Sequence, residues 1–234
     1  MRCAFAERRG RALMETEFNE TARVEAFSDA VFAIAMTLLV LELKIPHQGK
    51  DQPGVLLQQL MDQRSMYVAF LTSFVTIGIM WIKHHRLFTL IQRRTHTLIL
   101  LNLLLMLGVT VVPFPTAVLA QNLSDPLDVK IAALFYNGWF AFIALMFNAL
   151  WRYASSGGRL LAQSVDQRAV RAQTRQFALL PLFYLVAFAV AWINGPLSIA
   201  ISLSLALVLA MPGSRFGSGM SPKIDELSGS AGGA

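Results

Sequence analysis

Several polar side chains lie within or next to apolar stretches of this chain, where an unpaired charge costs at least a few kcal/mol. Arg23, Ser28 and Asp29 stand near the start of the first such stretch, which runs from Val24 to Leu43. Because polar groups in that setting need partners, we predict that they bond to neighbouring helices. The nearest candidate partners are Trp81, His84 and His85 at the end of the second stretch and Asn102 in the third.

Arg23 and Asp29 point to different sides of a helix. They are six residues apart, a rotation of about 600°, or about 240° net, so they must find partners on different surfaces. Two roles stay open for this cluster: locking helices together, or holding the first helix rigid for a pore or site. A third interpretation makes Asp29 and His84 the titrating pair of a proton-coupled secondary transporter, although no half-to-half repeat supports it.

An aliphatic stripe follows the polar cluster on the same helix. Ile34, Leu38 and Leu41 occur at i, i+4 and i+7, so they share one face. Such a stripe usually faces lipid or packs against protein, but bulky side chains without oxygen also suit a pore constriction that gates by dewetting. Thr37 stands beside the stripe. Its hydroxyl either points toward a permeating ion or donates back to the carbonyl of Ala33.

The composition requires a membrane protein. Hydrophobic residues make up 55% of the 234 residues and charged residues only 15%, and the mean hydropathy is +0.53. A membrane-spanning helix takes about 20 residues, so the chain is long enough for about six helices and little else. We predict an all-α polytopic membrane protein with one six-helix unit per chain. The predicted helices are 24–43, 66–88, 97–119, 130–152, 176–193 and 196–211.

Proline and glycine mark breaks within and between these helices. Pro113 and Pro115 predict a kink or early end in the third helix. The last charge-free run is divided by Asn194-Gly195-Pro196, a tight-turn signal that separates the fifth helix from the sixth. The predicted organisation is a cytoplasmic N-terminal segment at 1–20, a six-helix transmembrane channel domain at 21–212, and a disordered Gly- and Ser-rich cytoplasmic tail at 213–234.

Basic residues are sorted between the two sides of the predicted bundle. Sixteen of the 20 Lys and Arg fall on the side that holds both termini, and basic loops stay in the cytoplasm. We therefore predict a multi-pass protein of the cell (inner) membrane with both termini cytoplasmic. A basic loop on that side is expected to touch anionic lipid. It contains Arg159, Arg168, Arg171 and Arg175, whereas Lys44, Lys50, Arg64 and Lys130 lie on the other side.

The sequence offers no catalytic or metal centre. Cys3 is the single cysteine, so an internal disulfide or a cysteine-rich metal site is excluded. His84 and His85 are adjacent and lie about 100° apart on a helix, which makes them a poor pair of metal ligands. We expect neither an enzyme nor a cofactor. The pI near 9.9 reflects the sorting of basic residues between loops, so no nucleic-acid partner is expected.

The run Arg23-xxx-Phe27-Ser28-Asp29, with its apolar extension to Leu43, resembles the signature of the endosomal and lysosomal potassium channels of the transmembrane protein 175 family. Six spans and the Trp81-xx-His84 end of the second helix fit the same family. The resemblance implies a homotetrameric channel that passes potassium ions passively, with the first helix of each subunit lining a central pore. It also implies the absence of the Thr-Val-Gly-Tyr-Gly filter of common potassium channels, and no such run occurs here.

The resemblance also implies roles for individual side chains. The constriction of the pore falls on Ile34, Leu38 and Leu41, and the implied partners of the chain are potassium ions, membrane lipid and three further copies of itself. The signature residues join an interhelical network with polar groups of the second and third helices. The expected members are Arg23, Phe27, Ser28, Asp29, Trp81, His84 and Asn102.

Overall fold

The chain folds as a bundle of helices. The computed structural model describes residues 21–43, 55–123, 125–158, 160–162 and 165–210, and these residues form no strand. The predicted segments 1–20 and 213–234, with Cys3, lie outside them. The helices are α1 (Thr21–Glu42), α2 (Val55–Asp62), α3 (Arg64–Leu90), α4 (His96–Val111), α5 (Pro113–Gln121), α6 (Asp128–Ser155), α7 (Gln167–Ala191) and α8 (Gly195–Ala210).

These helices confirm the predicted fold class. Five segments of the described chain are long and apolar enough to cross a membrane, and the two shorter helices α4 and α5 count as one of them. The α8 helix is apolar too, with 16 residues described. The protein is therefore an all-α polytopic bundle, as its composition requires.

The helices differ from the prediction in two respects: the start of α7 and the presence of α2. The α7 helix begins at Gln167, nine residues earlier than predicted, because the Asp166 side chain caps it by accepting a hydrogen bond from the Arg168 amide. The first turns of the helix contain basic residues, and its apolar part follows them. The short helix α2 was not predicted, because its eight residues end in Asp62 and do not form a long charge-free run.

The predicted proline break is confirmed. The α4 helix ends at Val111, and α5 begins at Pro113, the first helical position, where the missing amide hydrogen costs nothing. The turn between α7 and α8 is confirmed as well. There the Asn194 side chain caps α8 by accepting a hydrogen bond from the amide of Leu197.

The α6 helix lies at the centre of the described bundle and packs against α4, α5, α7 and α8. Its buried face carries large side chains such as Phe140 and Trp151. A buried amide on the same helix, Asn137, donates to Ser198 Oγ at 3.2 Å and accepts from Ser202, both on α8. This polar contact fixes α8 against α6 without leaving an unsatisfied amide.

A glycine permits the close approach of α4 and α6. A Cβ atom at Gly108 would stand 2.8 Å from Ile143 Cγ1 and 3.3 Å from Phe142 Cε1. The carbonyl of Gly108 also accepts a hydrogen bond from Trp139 Nε1 at 2.8 Å. Small residues at such crossings bring helices together in membranes.

Replacement of this glycine should therefore loosen the bundle. We expect Gly108→Ala to lower the free energy of unfolding by about 1–3 kcal/mol through overpacking. The control is Gly78→Ala on α3, where the nearest atom to the new Cβ is 3.9 Å away and the higher helix propensity of Ala adds up to about 1 kcal/mol. The measurement is unfolding in mixed SDS micelles. Equal behaviour of the two variants would contradict the tight crossing.

Candidate functional site

The α1 helix has two different faces. Phe32, Ala35 and Leu39 are buried at 0–2% exposure on the side that packs against the bundle. Ile34 and Leu41 are more than half exposed on the opposite side, at 55% and 64%. None of the described residues covers this second face, although its side chains Ile34, Leu38 and Leu41 are apolar.

A chain of hydrogen bonds fixes the buried face of α1 to α3 and α4. Asn102 of α4 stands at its centre: its Nδ2 donates to Ser28 Oγ at 2.9 Å, and its Oδ1 lies 2.9 Å from His84 Nε2. Ser28 in turn donates to the carbonyl of Val24 at 2.9 Å. An amide oxygen can only accept a hydrogen bond, so the His84 proton lies on Nε2. In this series of bonds each donor therefore precedes its acceptor on the way from α3 through α4 to α1.

His84 is enclosed by aromatic rings. Its ring stacks on Phe88 with centroids 4.5 Å apart and lies 5.3 Å from the ring of Phe32 on α1. The side chain is fully buried, and its Nδ1 atom has no hydrogen-bond partner among the described residues. Both the packing and the bond to Asn102 therefore hold His84 in one orientation.

A second layer of contacts joins α1 to α3 nearer the surface. Trp81 Nε1 donates to Asp29 Oδ1 at 2.8 Å, and His85 Nδ1 lies 2.8 Å from Glu25 Oε1. The rings of Trp81 and His85 are stacked, with centroids 6.1 Å apart. As the residue number falls from 29 to 25 on α1, it rises from 81 to 85 on α3, so the two helices are antiparallel.

The structure thus brings together five of the seven residues expected in the network. The two others, Arg23 and Phe27, are exposed on the uncovered side of α1 and face away from these bonds within one chain. The five residues in contact are Ser28, Asp29, Trp81, His84 and Asn102.

Sequence reasoning missed the contact between Glu25 and His85. The sequence contains an indication of this contact. Glu25 and Asp29 are four residues apart on α1, and Trp81 and His85 are four residues apart on α3. Equal spacing on two antiparallel helices predicts two adjacent contacts. His85 was among the candidate partners, but Glu25 was not among the polar residues of the first helix that were expected to bond to them.

The aliphatic stripe lies on the uncovered face of α1. Ile34, Leu38 and Leu41 are all exposed there, at 55%, 39% and 64%. Thr37 donates its hydroxyl hydrogen to the carbonyl of Ile34 at 2.8 Å, not to that of Ala33. A threonine hydroxyl on a helix can reach the carbonyl either three or four residues back, and here it takes the nearer one. The helix ends in the 3₁₀ turn Leu39–Glu42.

No metal centre accompanies these contacts. Within the described ranges no group of three His, Cys, Asp or Glu side chains is placed to hold a metal ion. The described residues offer two features: a polar lock between α1, α3 and α4, and an apolar face on α1 that these residues leave uncovered. Together with its spanning helices they define an integral, multi-pass membrane protein.

Several known proteins are similar to this chain in sequence. A family model described as endosomal/lysosomal potassium channel TMEM175 matches residues 23–113, which include α1, α3 and α4. A potassium channel of Chamaesiphon minutus is 47% identical over 195 residues, 83% of this chain and 96% of the relative. A potassium channel of Streptomyces collinus is 43% identical over 189 residues, covering 81% and 91%.

A solved structure agrees in fold. The crystal structure of a lysosomal potassium-selective channel TMEM175 homolog from Chamaesiphon minutus matches with a TM-score of 0.74 at 44% identity, covering 82% of this chain and 97% of that chain. The chain belongs to the TMEM175 family, as its first helix indicated. The family consists of ion channels, so the protein is not an enzyme.

The central position of Asn102 leads to a test of the lock. We expect Asn102→Leu to lower the free energy of unfolding by about 1–3 kcal/mol, because it leaves the Nε2 hydrogen of His84 without an acceptor. The control is Thr72→Val on α3, whose hydroxyl bonds only to the carbonyl of Val68 in the same helix. Unfolding in mixed SDS micelles measures both. Wild-type stability of Asn102→Leu would show that the lock does not hold α1.

Proposed function

We propose that this protein is a potassium-permeable channel in which four copies of α1 surround a central pore. The observation that carries the proposal is the uncovered apolar face of α1, opposite a face that the buried lock attaches to the bundle. The names of the relatives support the choice of ion, since both bacterial relatives are potassium channels. The flux is passive, down the electrochemical gradient.

The assembly follows from geometry. A single helix cannot enclose a pore, so several copies must place the same face around a shared axis, and closed rings of identical subunits are the usual arrangement. The exposure of Phe27 at 52% is consistent with a further contact on this side of α1. In the proposed tetramer, Arg23 and Phe27 meet a neighbouring subunit, whereas Ser28 and Asp29 hold α1 within its own.

The aliphatic stripe forms the proposed constriction. Ile34, Leu38 and Leu41 carry no oxygen that could replace the hydration shell of a cation, so rings of these side chains gate by dewetting. The 3₁₀ turn at the end of α1 contributes to this arrangement. Residues three apart eclipse one another in such a turn, so Leu38 and Leu41 stack along the pore direction.

Thr37 is the polar side chain beside the proposed constriction. Its hydroxyl hydrogen is used by the carbonyl of Ile34, so only the lone pairs of its oxygen are left for an ion. An oxygen that can only accept suits a cation and not an anion. Thr37 is therefore the proposed point at which a dehydrating potassium ion meets an oxygen.

The proposed orientation places both termini in the cytoplasm of the cell (inner) membrane. Arg152 at the end of α6 and the basic residues at the start of α7 lie on the same side as Glu25 and His85. Because α1 and α3 are antiparallel, the C-terminal end of α1 and the start of α3 then lie on the side of the membrane opposite the cytoplasm. The pore constriction lies in the half of the membrane farther from the cytoplasm.

A flux assay tests the function directly. Purified protein in liposomes loaded with potassium should release the ion down its gradient without any counter-substrate, followed by a potassium-sensitive dye. Empty liposomes are the control. A proton-coupled transporter would instead show flux in a fixed ratio to protons. Its proposed pair, Asp29 and His84, makes two separate bonds, to Trp81 and Asn102.

The role of the stripe has its own test. We expect Leu38→Asn to raise the potassium flux severalfold and to reduce discrimination against sodium, because a polar ring keeps the constriction wet. Leu182→Asn on α7 is the matched control, since Leu182 is also exposed, at 56%, but far along the chain from α1. The same liposome assay measures both. Unchanged flux and selectivity in Leu38→Asn would remove Leu38 from the pore.

A further inference from the structure

A cavity lies between α3, α5 and α8, and α1 is not among the helices that line it. Its volume is about 300 Å³, the size of a small ligand site. Its lining includes Val68 and Ala69 of α3 and Leu119 and Ala120 of α5. Tyr136 of α6 also contributes to the lining.

Three hydroxyl groups that line the cavity, those of Thr72, Ser73 and Thr116, have acceptors within the protein. Thr116 donates to the carbonyl of Val112 at 2.9 Å, so Ser73, at 2.8 Å, is the donor in its contact with Thr116. Thr72 donates to the carbonyl of Val68 at 2.8 Å. The middle of the cavity therefore presents mainly apolar surface, which suits a hydrocarbon chain and not a polar solute.

The part of the cavity next to the start of α3 is polar. Arg64, the first residue of α3, lines it and is exposed, with Ser65 beside it. From Arg64 to Ser73 the helix rises about 14 Å, close to the thickness of one leaflet, about 15 Å of hydrocarbon. A cation at headgroup level and an apolar groove of leaflet length match the two ends of a phospholipid.

We infer that this cavity binds one phospholipid per subunit, with an acyl chain between α3 and α5 and the headgroup phosphate at Arg64. The bound lipid belongs to the leaflet that α3 enters first. Guanidinium groups bind phosphate through a planar fork of donors. The small residues Ala69 and Ala120 both line the cavity and leave room in it for a chain. The site does not depend on what the pore conducts.

The experiment measures lipid binding to the purified full-length protein. Native mass spectrometry with added phosphatidylglycerol counts lipids per subunit and gives the affinity of the tightest site. We expect Arg64→Gln to weaken this site about fivefold, the effect of one cation near a phosphate. Lys130→Gln is the matched control, because Lys130 lies over the Trp192 ring at the same end of the bundle, and it should leave the affinity unchanged.

A second variant tests the groove itself. Ala69→Phe fills the cavity and should abolish the tight site, whereas Leu71→Phe, at a position of 60% exposure on the same helix, should leave it intact. Wild-type binding in both Arg64→Gln and Ala69→Phe would overturn the proposal. Dissociation of subunits in Ala69→Phe, with lipid binding unchanged in Arg64→Gln, would overturn it in favour of a neighbouring subunit as the occupant.

Discussion

The structure depends on the requirement that polar groups buried in hydrocarbon must be bonded. Asn102 meets this requirement for three helices at once, because an amide has both a donor and an acceptor and can join Ser28 of α1 to His84 of α3. Removing the amide would leave the Nε2 hydrogen of His84 without an acceptor in a medium without water. The bonds of Asn102, together with the buried contacts of Phe32 and Leu39, fix the inner face of α1 against the bundle.

This orientation gives α1 its uncovered face. With Ser28, Phe32 and Leu39 turned inward, the side chains on the other side of the helix are left exposed by the described part of the chain. The rest of the bundle is organised around α6, whose contacts with α7 and α8 include the buried Asn137. The described residues thus combine a packed bundle with one helix that has an exposed apolar face. In the proposed channel this separates the pore-lining surface from the parts that hold it in place.

Several features followed from the sequence because they depend on local physics. Charge-free runs located the spanning helices, and Pro113 and Asn194 located two breaks, since a proline ring and a capping amide act on their own backbone. The start of α7 was predicted nine residues too late, because hydropathy reports burial in lipid and not helix formation: Arg168 and Arg171 are polar but good helix formers. The acceptor of the Thr37 hydroxyl was not predicted, because on a helix the carbonyls three and four residues back are both within reach of a threonine hydroxyl.

The sequence by itself determined that the protein is a helical membrane protein of the TMEM175 family, because composition and a contiguous motif need no knowledge of distant contacts. It also identified most of the polar residues that bond between α1, α3 and α4, since each stands where it cannot remain unpaired. Only the tertiary structure decided which partners they take: His84 bonds to Asn102 and His85 to Glu25, although the two histidines are neighbours in the chain. The reason is that about 100° of helix rotation separates adjacent residues, and the packing of α1 and α4 against α3 determines which of the two is buried.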